Sequence, residues 1–183
     1  MEIILTYKGI IPANNKPLDA VWKMRKSFDT QLKKLWGKEP FAVLKKWEDT
    51  NFTTGVKDFR RIIDNQTFLP LYGKTISVGV NLDITLLTGM HEQSPILKSG
   101  DLDNRIKRVI DALRAPQQKG ELYGDLKENK RWHCLLEDDD AVIGLKAKAG
   151  TFLDSDNNKE SFVFIKVTPA PLTVTMSNIA MLF

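Results

Sequence analysis

The sequence is poor in the residues that build redox, disulfide and zinc chemistry. It has one cysteine, Cys134, and two histidines, His91 and His133. A lone thiol cannot close an internal disulfide, and one cysteine with two imidazoles falls short of a Cys/His zinc framework. No G-x-G-x-x-G or G-x-x-x-x-G-K-[ST] run is present to cradle phosphates, so no nucleotide cofactor is expected. No apolar run approaches membrane length, and the opening MEIILTYKGIIPANN lacks a basic segment leading into an apolar stretch. Internal repeats and low-complexity segments are also missing. These absences predict a cytoplasmic protein with no membrane partner.

What remains is an ordinary globular composition. The 183 residues, 42% hydrophobic and 27% charged, suit a single domain with one packed core. The net charge of +4 is unevenly placed: residues 1–75 carry 14 Lys/Arg against 8 Asp/Glu, and residues 76–183 carry 13 against 15. Such asymmetry suits a polyanion held by the first part and a need for carboxylates in the second.

Periodicity predicts the elements. EIILTY, residues 2–7, reads as a strand, followed by the turn-rich GIIPANNKP. Leu18, Val21, Trp22, Phe28, Leu32 and Leu35 form a stripe near helical spacing between Leu18 and Trp36, with Lys23, Lys26, Lys33 and Lys34 largely elsewhere, as a solvated face or as phosphate contacts. FAVLKKW and VKDFRRIID look like short helical pieces. From Thr75 to Leu87 strict alternation gives a long strand with one buried face. Ile106, Val109, Ile110 and Leu113 mark a helix that Pro116 stops. A polar connection then leads to LLEDDDAV, a strand containing Ile143, Leu145, Ala147 and Ala149, and a last strand, SFVFIKV. Between those two, DSDNNKE resembles a calcium loop, but Lys159 and Ile165 stand where that loop needs glycine and glutamate, so it reads as a hairpin turn.

Two acidic clusters carry the chemistry. Asp101 and Asp103 sit where a loop enters the helix; one aspartate is a favoured N-cap, and the second adds charge that capping does not require. Glu137-Asp138-Asp139-Asp140 precedes a strand and on its own reads as an exposed acidic turn. If the fold brought the clusters within about 4–5 Å, each carboxylate pair would repel by about 3–4 kcal/mol at an effective dielectric of 20. A hard cation with oxygen preference, Mg²⁺, relieves that repulsion and supports phosphodiester hydrolysis. Lys107, one turn after Asp103, could reach the same phosphate or form an i,i+4 ion pair with Asp103. Lys146 and Lys148, on the alternate face of their strand, read as phosphate contacts or as a solvated strand face.

The run D-L-D-N-R-I-K-R-V-I-D-A-L, residues 101–113, with the later D-D-D-A-V, residues 138–142, resembles the RusA-type Holliday-junction resolvases. The family pattern is a D-x-D-N-x-x-K helix ending in D-A-L, then a D-D-x-x-V segment before a strand. Ile11 to Asn15, I-P-A-N-N, is similar to the P-P-S-N-N turn these proteins carry after their first strand. The resemblance implies a small single-domain α+β fold, a mixed β-sheet with helices packed on it, over residues 1–183. It implies a homodimer that resolves branched DNA by paired symmetric nicks with Mg²⁺, for which Mn²⁺ is a substitute. It assigns metal binding to Asp101, Asp103 and Asp139, phosphate assistance to Lys107, and nucleic-acid contact to Asn14 and Asn104. Two stretches depart from the pattern as insertions, near 37–73 and 114–136. The alternative reading is a DNA-binding or scaffolding protein that keeps the fold and does no chemistry.

Overall fold

The computed structural model describes residues 2–13, 18–47, 59–89, 101–124, 131–154, 159–175 and 178–179, without the side chains of Val43, Lys46, Trp47 and Asp101. Within them lie β1 (Ile3–Ile10), α1 (Leu18–Trp36), β2 (Arg61–Ile63), β3 (Gln66–Tyr72), β4 (Val78–Gly89), α2 (Asp101–Leu113), β5 (Arg131–Leu136), β6 (Val142–Phe152) and β7 (Glu160–Pro171). The chain is an α+β fold. A four-stranded sheet has the order β1-β7-β4-β6, with β6 parallel to β4 and the other pairs antiparallel. A second, three-stranded sheet has the order β2-β3-β5, with β3 and β5 parallel.

Alternation sets the faces of the large sheet. Val80, Leu82, Ile84 and Leu86 of β4, Val163, Ile165 and Val167 of β7, and Ile3, Leu5 and Tyr7 of β1 are buried toward the helices. Both helices cover that face. α1 buries Val21, Phe28, Leu32 and Trp36 on one stripe and places Trp22 against Phe68 and Trp132 of the second sheet. Asp19 in its first turn and Lys33 and Lys34 in its last complement the helix dipole. Gln31 reaches the outer edge of β1, accepting from the Thr6 N–H at 3.0 Å and donating to the Thr6 carbonyl at 2.8 Å, so one edge strand has those backbone groups satisfied by a helix. α2 buries Ile106, Val109, Ala112 and Leu113 and leaves Ile110 partly covered.

Three expectations are corrected. VKDFRRIID is not helical in its described part: Arg61–Ile63 is β2, joined to β3 by Asp64 and Asn65. Both have left-handed backbones, φ 49° and 64°, which suits a two-residue hairpin turn whose twist matches the strands. The polar connection after α2 contains β5, which charge-rich neighbours hide in the sequence. DSDNNKE does not close a hairpin, because β4 lies between β6 and β7 and pairs with both. FAVLKKW does form a short 3₁₀ helix, Phe41–Trp47. The two stretches that depart from the resolvase pattern meet in space, since the second sheet takes β2 and β3 from one and β5 from the other.

Candidate functional site

α2 carries the D-x-D-N-x-x-K run on its first turns. Asp103, Asn104 and Lys107 are all exposed. Asp103 and Lys107 are neighbours on the helix surface, yet no ion pair or hydrogen bond engages either side chain among the described residues. The alternative of an intrahelical ion pair is therefore not the one adopted. Asp101 opens the helix; its side chain, like all of Asn14, lies outside the described residues.

The second acidic cluster is mostly occupied. Glu137 accepts from Thr75 N–H at 3.0 Å and from the Thr75 hydroxyl at 2.5 Å. Asp138 accepts from Asp139 N–H at 2.9 Å and caps a short 3₁₀ turn. Asp140 pairs with Lys74 at 2.5 Å, and that hydrogen bond raises the lysine's pKa. Asp139 is exposed and, among the described residues, its side chain makes no such bond.

Asp103 and Asp139 lie toward opposite ends of β4. Arg105 donates to Ser161 Oγ at 3.4 Å, and Ser161 pairs with Thr88, so α2 begins near the end of β4. It finishes at the other end, where Arg114 bridges to Leu136 and Ala115 N–H donates to the Leu136 carbonyl. Asp139 lies just beyond Leu136, next to Val142, which pairs with Val80 at the start of β4. Asp103 to Leu113 spans about 15 Å of helix axis, and Val80 to Thr88 spans about 26 Å of strand. The length of α2 thus lies between Asp103, on its first turn, and the end of the fold at which Asp139 stands. Among the described residues no group of three or more His, Cys, Asp or Glu side chains could hold a metal ion. One protomer's described donors do not fit Mg²⁺, which wants several oxygen ligands from one place.

Comparison with known proteins finds no match: no family model, no curated protein and no solved structure is similar to this chain.

The outer face of the large sheet sets exposed aromatic rings beside Lys146 and Lys148. Register aligns Ile4, Lys166, Asp83 and Lys146 in one row across the sheet and Thr6, Phe164, Thr85 and Lys148 in the next. Lys146 pairs with Asp83 at 3.6 Å, and Lys166 pairs with Glu2 at 2.6 Å, which raises the pKa of Lys166. Lys148 is exposed. Phe152 and Phe162 stack at 5.6 Å, with the Lys8 ammonium 5.1 Å from the Phe152 ring centre. Phe164 is 37% exposed and Ile4 53%. In SFVFIKV the core takes Val163, Ile165 and Val167, so the phenylalanines necessarily face outward; apolar residues on both faces of a strand were the available sign. Beside Asp83 a shallow cavity of about 350 Å³ is lined by Asn81, Lys146, Lys166 and Thr168 among others.

His133 and Cys134 are both buried. His133 is buried, with its backbone N–H and Nδ1 on Asp29 Oδ1 at 2.7 and 3.0 Å. Burial pushes the Cys134 thiol up to about 12, with a smaller lowering from Arg25. Its unfolded thiol ionises near 9. As the pH climbs past that value the unfolded chain releases its proton first, so stability falls across the alkaline window. Urea midpoints measured against pH are expected to decline more steeply for wild type than for Cys134→Ala; parallel alkaline limbs would show that the thiol is not shielded.

Proposed function

We propose that the protein is a metal-dependent endodeoxyribonuclease of the RusA type, cutting branched DNA as a two-fold dimer in which each site is completed by the partner's Asp139. The observation that carries this reading is the unspent face of α2. Asp103, Asn104 and Lys107 face solvent on its first turns, and neither Asp103 nor Lys107 is held by a described ion pair or hydrogen bond. An acidic and a basic side chain one turn apart, exposed and not paired with each other, are available to a ligand that takes both.

The dimer closes the gap that one chain leaves open. The outward stripe of α2 runs from Asp103 and Lys107 toward Ile110, in the direction of the end where Asp139 stands. Two copies set antiparallel along this stripe bring Asp103 beside the far end of the partner's helix, and so beside the partner's Asp139. A two-fold enzyme also supplies the two equivalent sites that symmetric nicking needs.

In this reading Asp101, Asp103 and the partner's Asp139 would hold Mg²⁺ or Mn²⁺, which would supply Lewis acidity and lower the pKa of an attacking water. Lys107 neutralises the phosphate, and Asn104 donates hydrogen bonds to its oxygens. Lys146 and Lys148 touch strands on the outer face, where Phe162 and Phe164 offer surfaces for unstacked bases. The test is nicking of a synthetic four-way junction with Mg²⁺, with Mn²⁺ and with a chelator. Paired nicks that need the ion support the reading; folded protein that cuts with neither ion overturns it.

A second reading, DNA binding without chemistry, is favoured by the separation of Asp139 from Asp103 within one chain. It predicts junction binding that no divalent ion converts into cleavage.

A further inference from the structure

We propose that the cavity between α1 and the C-terminal end of α2 binds a phosphate-type oxyanion through Arg25 and Arg108. The cavity has a volume of about 160 Å³, more than one water fills, and Arg25 and Arg108 are among the residues that line it. Arg25 is 2% exposed and Arg108 6%. A guanidinium so deeply buried normally has every N–H paired, because a charged donor left unsatisfied costs more than a neutral one. Here the pairing is incomplete. Arg25 Nη2 donates to the Asp111 carbonyl at 2.7 Å and to the Arg114 carbonyl at 3.3 Å, while Arg25 Nε, Arg25 Nη1 and Arg108 Nε have no acceptor.

The charges around the cavity do not balance. Its carboxylates are Asp111 and Glu121. Arg114 engages both, at 3.4 and 2.9 Å, and Arg108 shares Asp111 at 3.4 Å. Arg25 receives only backbone carbonyls and the face of the Trp22 ring, 4.7 Å away. Three guanidinium groups against two carboxylates leave one positive charge out of water, and burial accordingly lowers the Arg25 pKa. An oxyanion accepting from the free Nε and Nη1 positions supplies the missing acceptors and the missing charge together. Planar guanidinium forks match phosphate geometry better than any other side chain.

The phosphate group has two sources: a free or small-molecule phosphate, or the backbone of a bound nucleic acid. Neither requires the cleavage chemistry proposed above, so this site stands or falls independently of it. Inorganic phosphate is titrated into the full chain against chloride at equal ionic strength, following the unfolding temperature and the heat of binding. Wild type is expected to show saturable, phosphate-specific heat and an unfolding temperature that rises with the logarithm of phosphate concentration. Arg25→Lys, which loses Nε and the fork, and Arg108→Gln are expected to weaken binding at least about tenfold. Gln118→Trp, a change at an exposed residue of the cavity wall, blocks the space while leaving every arginine in place, and is expected to do the same.

A second arm compares four-way junction and duplex binding by wild type and Gln118→Trp. Weaker DNA binding by the variant identifies a backbone phosphate as the ligand, and unchanged DNA binding with lost phosphate binding identifies a free anion. No phosphate-specific effect in wild type, or equal binding by wild type and all three variants, overturns the proposal and leaves the cavity to water.

Discussion

Mixing Asp103→Asn protein with Asp139→Asn protein is expected to restore nicking that neither has alone. On the proposed reading each single variant loses a metal-binding carboxylate from both sites of its own dimer, and the loss of several kcal/mol of charge stabilisation is expected to lower cleavage by on the order of a hundredfold to a thousandfold. In a mixed dimer with shared sites, one site collects both substitutions and the other collects none. Random exchange makes about half of the dimers mixed, so about a quarter of all sites are intact. Those dimers cut one strand of the junction at a time, which separates nicked product from paired cleavage on a denaturing gel. If the site were made within one chain, every site in the mixture would carry one substitution and no activity would return. Asp139 stands at the far end of α2 from Asp103, and this is the experiment that such a placement demands. Junction binding by Asp103→Asn is expected to stay near wild type; loss of binding and cleavage together would favour the non-catalytic reading.

Trp22→Ala is expected to cost about 3–5 kcal/mol, near the top of the range for a single core truncation. The indole is 1% exposed and meets Trp132 edge-on at 5.1 Å and Phe68 at 6.4 Å, which makes it the α1 anchor for the second sheet. Its Nε1–H donates to the Glu121 carbonyl at 2.8 Å, and Arg25 lies over its face. Removal empties the small cluster formed with Phe68, Ala115, Trp132 and Cys134. Against a typical domain stability of about 5–15 kcal/mol the loss is a large share. Urea denaturation should show it as a lower midpoint, and a change under about 1 kcal/mol would mean that the ring is not packed as described.

Local pattern was a reliable guide wherever one face of an element met the core. Val80, Leu82, Ile84 and Leu86 alternate strictly, and α1 and α2 run over the residues that their apolar spacing marked. The end of the long strand was less legible: Thr75 and Ser77 alternate like their neighbours but belong to the turn before β4, where Ser77 has φ 57°. β5 was hidden because Arg131 is charged and exposed, and Trp132 and His133 are amphipathic residues that become buried through partners far along the chain, Asp29 for His133 and Gln66 for Trp132. The D-x-D-N-x-x-K run correctly placed Asp103, Asn104 and Lys107 on one exposed helix surface. Distance between the two acidic clusters was not legible at all, since it depends on which end of β4 each loop returns to. Arg25 escaped notice for a related reason: in sequence it looks like one more surface cation among Lys23 and Lys26, and only the docking of α2 buries it.

The second sheet has an order of assembly written into its connectivity. β2 and β3 are joined by two residues, so that hairpin can close within microseconds. The β3–β5 pairing sets Thr67 against Arg131, and the intervening chain contains β4 and α2, both of which must find their places before the parallel ladder registers. In the interval β3 presents Phe68, Leu69 and Leu71 along an unpaired ladder edge. A chain in which that edge is still open exposes apolar surface and unpaired backbone groups of the kind that promote association.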